Sequence, residues 1–142
     1  MHDIGKLILD DFVIGNQQVL SDLVVNEDIG FDIAEKKLFG LNHASAGADL
    51  LESWHFPSEL VSSVRWHHDP LRSDIRPDIV TVVHIADMLA YAEGIGAGID
   101  GFLYHIKEDA VLKLGITKTD LEKVVSSAFD KVRELENVFG GK

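Results

Sequence analysis

The sequence predicts an all-α helical bundle of about seven to eight helices, and three observations carry that reading. Apolar residues recur at i, i+3, i+4 and i+7 along most of the chain. No stretch alternates apolar and polar side chains as a half-buried strand does, and no internal repeat is visible. Glycine, proline and asparagine fall where helices start and stop. The 142 residues make one ordinary domain, 1–142, long enough to bury a core.

The elements follow in order. Residues 2–14 carry Ile4, Leu7, Ile8 and Phe12 on one stripe. A second helix begins near Asn16 and ends in the Glu27-Asp28-Ile29-Gly30 stretch. A third covers 32–39 and is closed by Gly40, the residue type favoured just past a helix end. Asn42 is a good N-cap for the fourth, whose His43, Ala46, Gly47, Leu50 and Trp54 share a predicted buried face. Ala46 and Gly47 are small enough to let another helix approach closely. Pro57 opens the fifth helix, with Leu60, Val64, His67 and His68 on its stripe, and Pro70 stops it. Pro77 opens the sixth, with Val80, Val83, His84, Asp87 and Tyr91 in line. Beyond a glycine-rich stretch at 94–101, a short helix is expected near 102–114 and a long one from about 118 to 138. Thr117 and Asp120 form a capping pair for the last helix, whose seam is Leu121, Val124, Ala128, Val132 and Leu135.

Composition bounds the chemistry. Apolar residues make up 46% and charged ones 26%, a soluble globular balance. No apolar run is long enough to span a bilayer, and the cytoplasm is the expected compartment. Thirteen basic residues face 24 acidic ones, for a net charge of −11. That balance argues against nucleic-acid and membrane partners, which require basic patches. A phosphate substrate stays open, because a dication with a local Lys or Arg reverses the sign locally. With no cysteine, any metal must be held by histidine and carboxylate.

Those ligand types are concentrated. His2 and Asp3 open the chain, and His43, His67, His68 and Asp87 lie on the predicted core faces of three successive helices. An ionisable group on a core face is expensive unless it is paired or bound to metal. From spacing alone, a shared metal site and a set of satisfied core histidines weigh about equally. Lys6, one turn after Asp3, reads equally as a phosphate contact or as a partner of Asp3. Arg65, Arg72 and Arg76 flank the paired histidines and are candidate phosphate anchors or solvated helix-end residues. His84 suits a core hydrogen bond better than an orienting role; His55 and His105 suit surface or loop. Gly96 to Gly101 spells G-x-G-x-x-G, but that fingerprint needs a strand before it and a helix N-terminus after it. It reads here as an inter-helix loop.

The segments HDIGKLIL, NHASAGADLLESWHFP, VRWHHDP and VVHIADMLA resemble the HD superfamily of metal-dependent phosphohydrolases, and more closely the HDOD (HD-related output) domains of bacterial signalling proteins. The resemblance runs from residue 1 to about 93. It implies His2, Asp3 and Asp87 as primary ligands and His43, His67 and His68 as additional ones, with Asp3 bridging two ions. One or two divalent ions (Fe, Mn, Zn, Ni or Mg) are the implied cofactors, and a phosphate ester or nucleotide is the implied substrate. Asp3 and Lys6 are the catalytic candidates; Lys6, Arg65 and Arg72 are the substrate-binding ones. The competing implication is a non-catalytic signalling module with a structural metal site and a protein partner. Two departures stand out. The glycine-tyrosine-proline signature of the superfamily's cyclic-dinucleotide phosphodiesterases is replaced by HHDPLRSDIRPD. The family's first histidine ligand, upstream of the doublet, has no counterpart. The sequence is therefore expected to be the C-terminal part of a larger unit. The stripe of Ile4, Leu7 and Ile8 should then be covered by a second copy, giving a homodimer, or leave the first segment unordered.

Overall fold

A computed structural model describes residues 1–92 and 106–139. Eight α-helices and no strand are found among them. They are α1 (Ile4–Gly15), α2 (Gln17–Glu27), α3 (Phe31–Phe39), α4 (His43–Ser53), α5 (Ser58–Trp66), α6 (Pro77–Ala92), α7 (Glu108–Lys113) and α8 (Lys118–Phe139), with a 3₁₀ turn at Pro70–Arg72. The glycine-rich stretch at 94–101, the first residues of the helix expected at 102–114, and His105 lie outside the described residues.

The helix ends are set by the residues that sequence patterning singles out. Gly40 takes the left-handed conformation, φ 82°, that turns the chain from α3 into α4. The Asn42 side chain accepts the Ser45 N–H at 2.9 Å and starts α4. Thr117 and Asp120 cap α8 reciprocally, Thr117 N–H donating to Asp120 at 3.0 Å and Asp120 N–H to Thr117 Oγ1 at 3.2 Å. The end of α2 differs in detail. Asp28, at φ 51°, takes the left-handed position, and Gly30 is extended at the start of α3.

Two apolar clusters hold the described helices together. One joins α2 and α3 through Leu20, Val24, Phe31 and Ala34, with Val13 of α1 packed against it. The other joins α4 and α5 through Ala48, Leu51, Val61 and Val64. Val80, Ile85 and Met88 bury the inner side of α6. Between the clusters, α1 crosses α4 where Gly5 meets Gly47. A Cβ on Gly5 would stand 1.9 Å from the His43 carbonyl oxygen, and one on Gly47 would stand 2.9 Å from the Gly5 nitrogen. That crossing brings the His2–Lys6 segment against the N-terminus of α4.

His43, Ala46, Gly47, Val64, His67, Val80, His84 and Asp87 are buried as their stripes predict, but other predicted positions are not. In α1 the buried residues are Gly5 and Leu9, while Leu7 and Phe12 are exposed. In α4 it is Leu51, 1% exposed, rather than Leu50, and Trp54 is exposed. In α5 Val61 is buried and Leu60 exposed. In α8 Leu121 is half-buried, but Val124, Phe129, Val132, Leu135 and Val138 face outward. Leu51→Ala is therefore expected to cost ~2–5 kcal/mol, measured by urea titration. Leu50→Ala should cost clearly less, and equal losses would contradict this packing.

Candidate metal centre

Four side chains from three places in the chain converge. Asp3 stands at the start of α1, His43 is the first residue of α4, and His67 and His68 follow the last turn of α5. One ligand atom from each lies within 4.8 Å of all the others. His43 Nε2 is 2.9 Å from His68 Nε2, and Asp3 Oδ1 is 3.5 Å from His43 Nε2 and 3.6 Å from His67 Nε2. Donors ~2.0–2.2 Å from a common ion, at tetrahedral or octahedral angles, lie roughly 2.8–3.6 Å apart. The three measured separations fall in that range.

The hydrogen bonds behind the rings aim their lone pairs. His67 donates Nδ1–H to the Val64 carbonyl at 2.7 Å, which leaves Nε2 as an acceptor facing the cluster. His43 donates both its backbone N–H, at 2.9 Å, and its ring Nδ1–H, at 2.5 Å, to Glu35 Oε2. His43, His67 and Glu35 are fully buried. Asp3 Oδ1 and His67 Nε2 are buried with no hydrogen-bond partner. Buried lone pairs without donors are costly unless something electropositive sits among them. The donor set fits a divalent ion.

Electrostatics favour the ligand state of these groups. Burial, reinforced by the His67 and His43 rings, holds the His68 imidazole well below its ordinary pKa, so it is neutral at pH 7. Burial works to raise the Asp3 carboxyl, but the His67 imidazole, the Lys6 ammonium and His43 outweigh it and hold Asp3 well below the usual carboxylate range. Asp3 is thus ionised as it must be to bind metal.

A second group adjoins the first through Asp3. His2 Nε2 is 3.1 Å from Asp87 Oδ1 and 3.6 Å from Asp3 Oδ2. Asp87 Oδ2 is buried without a hydrogen-bond partner. Its contact with Asp87 outweighs burial and raises the His2 pKa. Lys6 Nζ bridges Asp3 Oδ2 at 2.9 Å and the Tyr91 hydroxyl at 3.0 Å. The six predicted ligand residues and Lys6 therefore form one connected constellation, with Asp3 between its halves.

The flanking arginines take other partners. Arg65 contacts Asp49 at 2.8 Å and Glu52 at 3.2 Å, Arg72 lies 4.6 Å over the Trp66 ring, and Arg76 forks onto Asp78. His55 is exposed at φ 59° in the turn after α4, as a surface residue. His84 makes the core hydrogen bonds expected of it. It donates Nδ1–H to the His67 carbonyl at 2.7 Å and accepts the Lys107 N–H at 3.0 Å. It thereby also ties down the backbone of a cluster residue. Sequence patterning missed Glu35, and it placed Tyr91 in line with Asp87 without giving it a role. Glu35 has ordinary neighbours in sequence, and only the packing of α3 brings it to the centre.

The HDOD domain family model matches residues 1–70. This stretch holds the His2-Asp3 doublet, Glu35, His43 and the His67-His68 pair, and over it the chain is similar to HDOD domains. The match stops short of residue 93, so Asp87 rests on geometry. No curated protein and no solved structure gives a match. No helix among the described residues is long and apolar enough to cross a membrane.

Proposed function

We propose that this HDOD-like chain is a metal-dependent phosphohydrolase acting on a phosphate ester in bacterial signal transduction. The observation that carries the reading is the set of buried, inward-facing donor atoms without hydrogen-bond partners, Asp3 Oδ1, His67 Nε2 and Asp87 Oδ2, within one constellation. His43, His67, His68 and Asp3 would hold one ion. His2 and Asp87, sharing Asp3, would hold a second. Bound divalent ions supply Lewis acidity at a phosphoryl oxygen and lower the pKa of water towards ~7.

The chain's own residues supply the rest. Asp3 joins the two groups of ligands and fixes their separation. Lys6, held between Asp3 and Tyr91, places one positive charge at the edge of the centre, where a phosphate oxygen can replace the Tyr91 hydroxyl as its partner. Lys6→Ala is therefore expected to raise KM more than it lowers kcat. A fall in kcat at constant KM would assign Lys6 to the chemical step instead.

One observation favours the alternative, a signalling module in which the ion only braces the fold. The seam of α8 leaves Val124, Phe129, Val132 and Leu135 exposed, a surface suited to a protein partner. Metal content of protein purified without chelator, followed by turnover of aryl phosphate esters, nucleotides and cyclic dinucleotides with Mn²⁺, separates the two. Bound metal with turnover supports the hydrolase. Bound metal without turnover across that panel leaves the signalling module.

A further inference from the structure

The three histidines of the centre differ in what stands behind each ring. The proton on the far nitrogen of His67 goes to a neutral backbone carbonyl, that of Val64. His68 meets the cluster through Nε2, 2.9 Å from His43 Nε2. His43 has a carboxylate behind it, that of Glu35 on α3. Glu35 is 0% exposed, its Oε2 receives two N–H groups of His43, and its Oε1 receives none.

A carboxylate in that position is poorly explained as packing. A buried carboxyl with one oxygen unsatisfied is costly, and two N–H groups on the other oxygen offset only part of that cost. An apolar residue or a glutamine would join α3 to α4 without it. The other ring nitrogen, His43 Nε2, faces Asp3 Oδ1 at 3.5 Å and His68 Nε2 at 2.9 Å, where a cation would be held. A carboxylate behind a ligating imidazole fixes its tautomer and makes it a stronger donor.

We infer that Glu35 is a positioning residue for the metal centre. It holds His43 as the Nδ1–H tautomer and strengthens its Nε2 as the ligand that dominates affinity for the ion shared with Asp3, His67 and His68. The inference rests on the metal-binding reading above and extends it to α3. The same oxygen fixes backbone and ring. His43 is the first residue of α4, so its N–H has no partner within the helix and is open to Glu35. Ring orientation is thereby locked to the start of the helix.

The test compares Glu35→Gln and Glu35→Ala with the wild-type chain, using Co²⁺ as the probe and its visible absorption as readout. Glutamine keeps an oxygen for both N–H groups but removes the charge, so its far-UV circular dichroism and thermal midpoint should match wild type. Its Co²⁺ affinity should be lower by ~10–100-fold, the usual loss when such a partner is removed. In metal-free protein, ¹⁵N NMR of the imidazoles should show His43 as the Nδ1–H tautomer in wild type and Glu35→Gln, but not in Glu35→Ala. Wild-type affinity in a folded Glu35→Gln protein would overturn the inference while leaving the metal centre intact. A wild-type chain that takes up no Co²⁺ would overturn the metal reading itself. In that case an unchanged His43 tautomer in Glu35→Ala would remove the positioning role as well. Should Glu35→Ala fail to fold, the Glu35→Gln affinity alone decides.

Discussion

Gly5→Ala is expected to lower stability and to weaken metal binding together, although alanine is the better helix former. In an open helix the exchange would gain ~1 kcal/mol. Here the new methyl would stand 1.9 Å from the His43 carbonyl oxygen and 2.7 Å from the Gly47 nitrogen, both backbone atoms that no rotamer change can move. The helices must separate by more than an ångström, and overpacking of this kind costs roughly 1–3 kcal/mol or more. The clash exceeds the propensity gain. A net loss of ~1–2 kcal/mol corresponds to a fall of several degrees in thermal midpoint, at ~2–4 °C per kcal/mol for a chain of this size. The same displacement pulls Asp3, two residues earlier, away from His43 and His67. Gly15→Ala is the control, because a Cβ there meets nothing within 4 Å. Equal stability of the two variants would mean that α1 does not cross α4 in this way.

That crossing also explains which parts of the structure are legible in the sequence. The helix boundaries are, because they are set locally. Gly40, Asn42, Pro77 and the Thr117–Asp120 pair act through their own backbone geometry and hydrogen bonds. The inward stripes of α4 and α6 are legible at His43, Ala46, Gly47, Val80, His84 and Asp87, while that of α1 is legible only to within one residue, about 100° of helix rotation. In α1 the tightest contact is made by Gly5, which has no side chain and so adds nothing to an apolar pattern. In α4 the buried residues run from Ala46 through His43, Gly47, Leu51 and Ala44 to Ala48, with Gly47 near the middle of the arc, as the predicted stripe has it. Leu50 and Trp54 share that direction, but Leu50 is only half-buried and Trp54, just past the helix end, is exposed.

The residues that converge on the centre were legible because imidazole and carboxylate on core faces stand out against apolar neighbours. Glu35 did not stand out. Flanked by Asp32, Lys36 and Lys37, it has the look of a solvated face until the turn at Gly40 folds α3 back on the start of α4. The expected cover over α1 fares differently by residue. Ile4 is half-buried, while Leu7 and Ile8 remain exposed and are available to a second copy.

Asp3→Ala should abolish retention of metal, the largest single effect expected in this chain. Asp3 touches both halves of the constellation. Oδ1 faces His43 and His67, while Oδ2 faces Lys6 and His2. No other side chain of the six meets both groups with separate oxygens. Partners one bond behind a ligand are worth ~10–100-fold in affinity, so loss of a shared ligand should exceed ~100-fold. Stability gives an independent readout. An ion at 100 times its Kd stabilises the folded chain by ~2.7 kcal/mol, or roughly 5–10 °C in thermal midpoint. Wild type should show that rise on addition of Mn²⁺, and Asp3→Ala should show none. Without metal the two proteins should melt within a few degrees of each other, because Asp3 is 31% exposed and Lys6 keeps the Tyr91 hydroxyl. His55→Ala, which removes an exposed imidazole far from these contacts, should keep the full rise. Asp3→Asn distinguishes charge from shape. It retains one acceptor oxygen facing His43 and His67 but lacks the negative charge, and it should bind metal weakly rather than not at all. An Asp3→Ala protein that keeps both wild-type ion content and the thermal rise would show that the ion sits elsewhere in the chain.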